Sequence, residues 1–441
     1  MSARNRELLA LVPASLLLTA GFAAIFIQRS NVLSNVSLTY GAIFLGLCVV
    51  AHLVVRFTLP HADPYLFPLV AVLACFGLVV IYRIDDKLAR DQAQWMVVGL
   101  ILFAGTIIAL RDFRTLERYR YTIAFAGLCL LLLPRVPGLG QQVNGAYLGV
   151  KIGPVAFQPA EFGKIAIVIF LAAYLRDTRQ VLVQGSRRFL GVTIPPLKHF
   201  GPLLVVWGAA MLMLVFIRDL GSSLMYFGAF LALLYVATNR LSFVVIGLAL
   251  FVAGAWFFST HIGHVHDRVE TWLHPFRPGL IDKVGGSYQI AQGMFAMADG
   301  GLFGSGLGAS LLYSGSSIPL IPAPQTDLIY AVIVNELGLV GACGLILVYL
   351  LFVARGFKTA TLAADSFSKL LAAGLTAVLG LQVFVIVGGV TRVIPLTGVT
   401  LPFVSYGGSS IVANFVLLAL LLLVSDRARR PAGVAATRGL R

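Results

Sequence analysis

Charge is scarce in this sequence: 12% of its 441 residues are charged, while 59% are hydrophobic. Soluble chains usually carry roughly 25% charged residues, so a fully water-exposed globular surface is excluded. Cysteine is scarcer still, limited to Cys48, Cys75, Cys129 and Cys343. Each lies in an apolar run and no pair has metal-ligand spacing. That excludes a disulfide scaffold or a cysteine-built metal site and leaves small apolar packing as the expected role. Acidic residues are outnumbered, 18 against 33 basic ones. No module interleaves aromatic and basic residues, so nucleic acid is not expected as a partner. Also missing are the alternating strands of about 10 residues that build a membrane β-barrel.

What the chain has instead is apolar runs of about 20 residues, the length that crosses a roughly 30 Å hydrocarbon core. Lipid offers no partner to backbone N–H and C=O groups, so such runs must be helices. The expected fold is an all-α integral membrane protein, a polytopic helical bundle of about twelve transmembrane helices. The spans are expected near 8–27, 38–57, 65–82, 93–110, 120–134, 160–176, 201–217, 221–237, 241–258, 326–354, 368–389 and 407–425. The first run lacks a small-residue cleavage site and reads as a retained helix. No internal or inverted repeat is evident.

Basic residues fall unevenly between alternate loops. The richer set includes Arg4, Arg6, Arg111, Arg114, Arg118, Arg176, Arg179, Arg187, Arg188, Lys198, Arg355, Lys358 and the tail Arg427, Arg429 and Arg430. The positive-inside rule assigns that set, and both termini, to the cytoplasm. The remaining positive charge is suited to anionic membrane lipid. One long segment, 259–325, then lies outside. Segments of that length in a compact protein are usually functional.

Ionisable residues at the rims of membrane spans are candidates for function. Glu161 and Lys164 sit three apart on one helical face. They form either a structural ion pair or a polar wall for an anionic headgroup, with Lys164 toward phosphate. Arg218 and Asp219 occupy a tight outer turn, where Asp219 either caps a helix or lines a charged cavity with Arg218. Asp327 lies where the long outer segment enters an apolar helix. It is either a cap or a general base, with desolvation raising its pKa and the helix N-terminus lowering it. The small residues around Ser405, Val404 to Ser410, permit close helix approach or irregular backbone beside a cavity. Gly300 to Gly308 has the look of a phosphate loop, but no strand precedes it, so a nucleotide site is not expected. His261, His264, His266 and Asp267 read as a solvated or interfacial cluster rather than a dedicated metal site.

Taken in order, the chain's motifs are Phe157-Gln158-Pro159-Ala160-Glu161, Asp219-Leu220-Gly221, Gly286-Ser287-Tyr288-Gln289 and Gly301-Leu302-Phe303-Gly304-Ser305-Gly306-Leu307-Gly308. They continue with Thr326-Asp327, Glu336-Leu337-Gly338, Ile394-Pro395-Leu396-Thr397-Gly398 and Ser405-Tyr406-Gly407-Gly408-Ser409. This set resembles the SEDS family (shape, elongation, division and sporulation), which includes the RodA and FtsW proteins. The resemblance runs over a ten-helix core at 65–425. Residues 1–64 form two extra N-terminal helices similar to those of actinobacterial RodA-type members, and 426–441 a basic cytoplasmic tail.

The resemblance implies a glycosyltransferase that polymerises lipid II, the undecaprenyl-pyrophosphate disaccharide-pentapeptide, at the outer membrane face. It implies a class B penicillin-binding protein, a transpeptidase, as partner. The family's key aspartate falls on Asp327, its glutamate and lysine after Gln-Pro on Glu161 and Lys164, and the aspartate of Asp-Leu-Gly on Asp219. For such a reaction Asp327 would take the acceptor proton. Lys164, Arg218, Arg392 and a divalent cation, Mg2+ or Mn2+, would face the pyrophosphate. Glu336 and Ser405 complete the expected substrate-binding set. Two other expectations belong to the same family resemblance, a lipid II flippase and a non-catalytic scaffold for a transpeptidase.

The sequence departs from the family pattern at three places. The stretch Asn144 to Val150, through Gly149, lacks a Trp usual before Phe-Gln-Pro. His274-Pro275 stands for a common Asp-Pro. Asn335 precedes Glu336 where two glutamates are usual.

Overall fold

The computed structural model describes residues 3–30, 35–143, 146–153, 155–184, 187–189, 192–194, 208, 219–281, 286–310 and 320–431. Of the span expected at 201–217 only residue 208 is described, and Arg218 lies outside the described residues.

Helices account for most of the described chain. They are α1 (Ala3–Ser30), α2 (Asn35–Thr58), α3 (Leu66–Ile84), α4 (Asp86–Ala109), α5 (Thr115–Arg118), α6 (Arg120–Leu132) and α7 (Pro159–Gln184). After the undescribed stretch come α8 (Leu220–Thr238), α9 (Leu241–His261), α10 (Gly263–Leu273), α11 (Tyr288–Gly300), α12 (Ile329–Leu362), α13 (Ser366–Val390) and α14 (Gly408–Ala428). Among the described residues, nine are long and apolar enough to cross a membrane. The spans expected at 120–134 and 160–176 are helical but outside that set. At 13 residues, α6 is only about 20 Å long.

Local chemistry sets several boundaries. Asp85 caps α4, accepting from the backbone N–H of Lys87 and Leu88. Asn239 ends α8 in the left-handed conformation, which Asn tolerates better than most residues. The all-α expectation needs a small addition. Three strands, β1 (Gly140–Val143), β2 (Ala146–Ile152) and β3 (Val155–Phe157), pair antiparallel in the order β1-β2-β3. Arg187–Phe189 and Val192–Ile194 pair as a second hairpin. The departure at Gly149 therefore falls in a paired strand, opposite Gln141. The long segment 259–325 contains α10 and α11.

The chain divides into two compact units. One comprises Met1–Arg118, Cys343–Thr376 and Pro402–Arg441; the other comprises Tyr119–Ala342 and Ala377–Leu401. The helices α12 and α13 each contribute one part to either unit.

In the first unit α3 and α14 are buried over most of their length. Close approach depends on small residues. A Cβ on Gly77 would lie 2.6 Å from the Val404 backbone, and one on Gly408 would lie 2.4 Å from the Trp95 ring. Residues 404–410 thus serve close packing here. Cys48 and Cys75 are buried, and the Cys75 thiol donates to the Ala14 carbonyl at 3.0 Å. Cys129 and Cys343 are exposed instead of packed inside, because each falls on an outward face of an apolar helix.

A buried ionic network joins the N-terminal helix pair to the rest of this unit. Arg4 donates to Glu7 and to the Ala62 carbonyl, and His52 Nδ1 lies 2.8 Å from Glu7. Asp63 receives Arg355 at 2.6 Å and Arg429 at 2.7 Å. Asp426 receives Arg430 at 2.7 Å and the His61 backbone N–H at 2.8 Å. Glu7, Asp63 and Asp426 have no exposed surface. Buried charges persist only when paired in this way.

Candidate active site

The second unit holds most of the expected site residues. Pro159 opens α7, where its missing N–H costs nothing, and places Glu161 and Lys164 one turn in. Both are buried. Lys164 Nζ donates to Glu161 Oε2 at 2.6 Å and to Gln382 Oε1 at 2.8 Å. The Gln382 amide in turn donates to the Thr400 carbonyl at 2.9 Å. The ion pair read from the i,i+3 spacing is formed, and Gln382 on α13 fixes its position.

Asp219 caps α8. Its carboxylate accepts from the Ser222 N–H at 3.0 Å and the Ser222 hydroxyl at 2.5 Å. The Tyr226 hydroxyl, two turns along α8, donates to the Ala160 carbonyl at 2.8 Å and ties α8 to the start of α7. Burial pushes the Asp219 carboxyl upward. The Ser222 bonds and the positive field of Arg268 oppose that shift, while Glu161 adds to it.

Asp327 lies in the turn before α12, where Thr326 N–H and Leu328 N–H both donate to the Ala323 carbonyl. The helix begins at Ile329, so Asp327 stands ahead of the span expected from 326. Burial raises its carboxyl above the usual range, opposed by Arg268 and by hydrogen bonds from Gln289 and Thr326. A half-buried carboxylate with elevated basicity and a nearby cation is suited to accepting a proton.

The segment Leu396 to Val399 packs between these groups. A Cβ on Gly398 would lie 3.7 Å from Asp327 Oδ2, and one on Gly221 would lie 2.1 Å from the Val399 side chain. Arg268, on α10, donates to the Leu396 carbonyl at 2.8 Å. The sequence alone does not single out Arg268. Nothing local marks it, because its two carboxylate neighbours lie far away in sequence. Gln289 sits in the Gly-Ser-Tyr-Gln motif, and that was its available signal. Gln382 gave none.

The other expected residues fall elsewhere. Arg392 has positive φ, 63°. Its guanidinium donates to the carbonyls of Trp272 at 2.9 Å and Leu273 at 3.3 Å, and Trp272 Nε1 donates back to the Arg392 carbonyl at 3.0 Å. Arg392 therefore satisfies carbonyls at the C-terminal end of α10. Glu336 accepts from Gly308 N–H at 2.8 Å and the Ser310 hydroxyl at 2.6 Å, which orders the glycine-rich segment. Ser405 belongs to the first unit, where its carbonyl accepts from Gln92 at 3.3 Å.

The glycine-rich segment has its own explanation. The helix α12 breaks at Gly338, with φ 66° and ψ −171°. Ser305 and Gly306 donate to the carbonyls of Asn335 and Glu336, while Leu339 and Val340 donate to those of Gly301 and Leu302. The glycines let two backbones meet and satisfy groups that a broken membrane helix would leave bare. The departure at Asn335 belongs to this junction: its amide donates to the Ala296 carbonyl at 2.7 Å, as a glutamate could not. His261 lies 2.9 Å from the Phe257 carbonyl, and His266 lies 3.1 Å from that of Ser259. His274 is exposed just past α10. Among the described residues, no three His, Cys, Asp or Glu side chains converge in a way that would hold a metal ion.

Comparison with known proteins places this arrangement in a family. The chain is 42% identical to Peptidoglycan glycosyltransferase RodA of Mycobacterium tuberculosis over 442 residues, covering 97% of this chain and 92% of the relative. It is 30% identical to Stage V sporulation protein E of Bacillus subtilis, covering 83% of this chain and 98% of the relative. Its fold matches the crystal structure of the Thermus thermophilus rod shape determining protein RodA at TM-score 0.58 and 27% identity, covering 84% of this chain and 98% of that one. A structure described as showing the structural coordination of polymerization and crosslinking by a peptidoglycan synthase complex matches at TM-score 0.66 and 27% identity, covering 84% of this chain and 99% of that one. The family model for FtsW, RodA and SpoVE, described as cell cycle protein, matches residues 64–430, and the chain belongs to that family of multi-pass membrane proteins.

Proposed function

We propose that the protein is a peptidoglycan glycosyltransferase that polymerises lipid II at the outer face of the cytoplasmic membrane, with Asp327 as general base. What supports the residue assignment is that Asp327 is a partly buried carboxylate just past the segment 259–325, in the field of Arg268. The activity itself is the one for which its mycobacterial relatives are named.

In this reaction an acceptor sugar hydroxyl attacks the anomeric carbon of the donor. The new glycosidic bond forms as the bond from that carbon to the pyrophosphate oxygen breaks, and the electron pair leaves with undecaprenyl pyrophosphate. Asp327 takes the hydroxyl proton, a contribution of typically 10²–10⁴-fold. Displacement in one step inverts the sugar carbon. Lys164 is already neutralised by Glu161 and held by Gln382, so its part is to position a polar wall more than to supply net charge. Asp219, Arg218 and Arg392 stay as candidates for the rim, while Glu336 orders the glycine-rich segment and Ser405 belongs to the other unit. The described residues do not build a metal site by themselves. A divalent cation would arrive with the substrate's pyrophosphate and offset its developing charge.

Orientation and partner belong to the same proposal. The arginine-rich ends, including Arg427 and Arg430, face the cytoplasm, which puts residues 259–325 outside. The similarity to the peptidoglycan synthase complex supports a class B penicillin-binding protein as the transpeptidase beside this chain.

The test is polymerisation by the purified chain with its cognate transpeptidase, lipid II and divalent metal. Wild type is expected to give glycan ladders on a gel, and Asp327→Ala none. Ladders from both would remove Asp327 as the base. Ladders from neither, with a folded complex, would replace the enzyme by a scaffold or a lipid II flippase.

A further inference from the structure

Asp219 and Asp327 approach the Leu396 to Val399 segment from different elements. Asp219 caps α8, whose Gly221 packs against Val399. Asp327 sits in the turn before α12 with an oxygen 3.7 Å from where a Gly398 Cβ would stand. The segment between them is held by Arg268, whose guanidinium donates to the Leu396 carbonyl at 2.8 Å. One N–H of Arg268 is thereby committed to a neutral backbone oxygen, and the fork of a guanidinium is planar and rigid. The bond fixes where the positive charge stands.

We propose that Arg268 is a positioning residue for the reaction: its bond to the Leu396 carbonyl fixes a cation on the segment that Asp327 also meets at Gly398, where it acts on that carboxylate. This rests on the proposed function for its catalytic consequence, but its electrostatic content does not.

The groups that act on Asp327 come from three elements besides its own turn. Arg268 on α10 supplies charge, Gln289 on α11 and the neighbouring Thr326 supply hydrogen bonds, and Gly398 supplies close backbone. Asp219 shares the field of Arg268 and also feels Glu161. Burial favours the neutral acid at Asp327, and a neutral acid cannot serve as base. Arg268 is the charged group that opposes burial there.

The test compares full-length wild type with Arg268→Gln, Arg268→Met and Arg268→Lys in lipid nanodiscs. The first readout is the rate of dicyclohexylcarbodiimide modification of Asp327, followed by peptide mass spectrometry from pH 5 to 9, since the reagent attacks the protonated acid. The second is the pH profile of polymerisation. With the cation gone, the labelling midpoint and the acidic limb of the rate profile are both expected to move upward by about one pH unit. That makes turnover about tenfold slower on the acidic side, with recovery in alkali. Arg268→Lys is expected to bring both back toward wild type. A rate that falls equally at every pH, with the labelling midpoint unmoved in both uncharged variants, would overturn the proposal and leave Arg268 as a clamp on Leu396. Labelling needs no turnover, so wild type that forms no glycan would remove the reaction while labelling still decides the role of Arg268.

Discussion

Gly338 meets Gly304 backbone to backbone: a Cβ at Gly338 would lie 2.4 Å from the Gly304 amide nitrogen, and one at Gly304 would lie 2.2 Å from the Glu336 carbonyl oxygen. Both glycines have positive φ, 66° and 81°. Gly304→Ala is therefore expected to destabilise the protein by about 1–3 kcal/mol from backbone conformation alone, with the clash in addition. Gly344, further along α12, has nothing within 4 Å of its would-be Cβ. Gly344→Ala is the matched control and should hold or raise the melting temperature in detergent.

Asn335 donates to the Ala296 carbonyl at 2.7 Å from a buried position. Asn335→Asp keeps the shape but replaces the donor by an acceptor facing that carbonyl. A loss of about 1–3 kcal/mol is expected, read as a lower thermal midpoint at neutral pH. An unchanged midpoint would mean that the amide bond contributes nothing to the junction.

Asp327 carries a cost in stability. Its carboxyl is held above the usual range by burial, against Arg268, Gln289 and Thr326, so the folded state binds this proton more tightly than the unfolded chain. Its favourable contribution is complete below the unfolded value, about 3.9, and is lost as pH rises through the folded value. Asp327→Asn should melt close to wild type at pH 4 and above it at pH 8, while polymerising no glycan. A variant that gains no relative stability with pH would contradict the elevated proton affinity.

Asp63 is fully buried between Arg355 and Arg429. Removing the carboxylate strands two guanidinium groups, an event that costs about 3–5 kcal/mol in buried pairs. Asp63→Ala should lower the melting temperature sharply. It should also make the N-terminal helix pair, which enters the same network through Arg4 at Ala62, more open to proteolysis than in wild type. Protection of α1 and α2 equal to wild type would show that apolar packing alone holds them.

The sequence by itself determined the class of fold and nine of the expected spans. The physics of a lipid solvent leaves an apolar run of about 20 residues little choice but helix. It also determined the short-range chemistry: the Glu161–Lys164 pair follows from i,i+3 spacing, and the Asp219 cap from an Asp placed just before a helix. Asp327 could be singled out because a carboxylate at the mouth of an apolar helix is costly wherever it occurs.

Only the tertiary structure decided what joins residues distant in the chain. The partnership of Lys164 with Gln382 spans 218 positions, and no periodicity carries such a signal. The same holds for Arg268, whose role depends on carboxylates brought up by other helices. Gly300 to Gly308 looked like a phosphate loop because glycine runs read alike in sequence; the break at Gly338 shows that here they accommodate backbone. Arg392 and Glu336 were legible as charges but not as supports, since a charge's role is set by the groups it meets. Local patterns encode local geometry, and a long-range contact exists only once helices have packed.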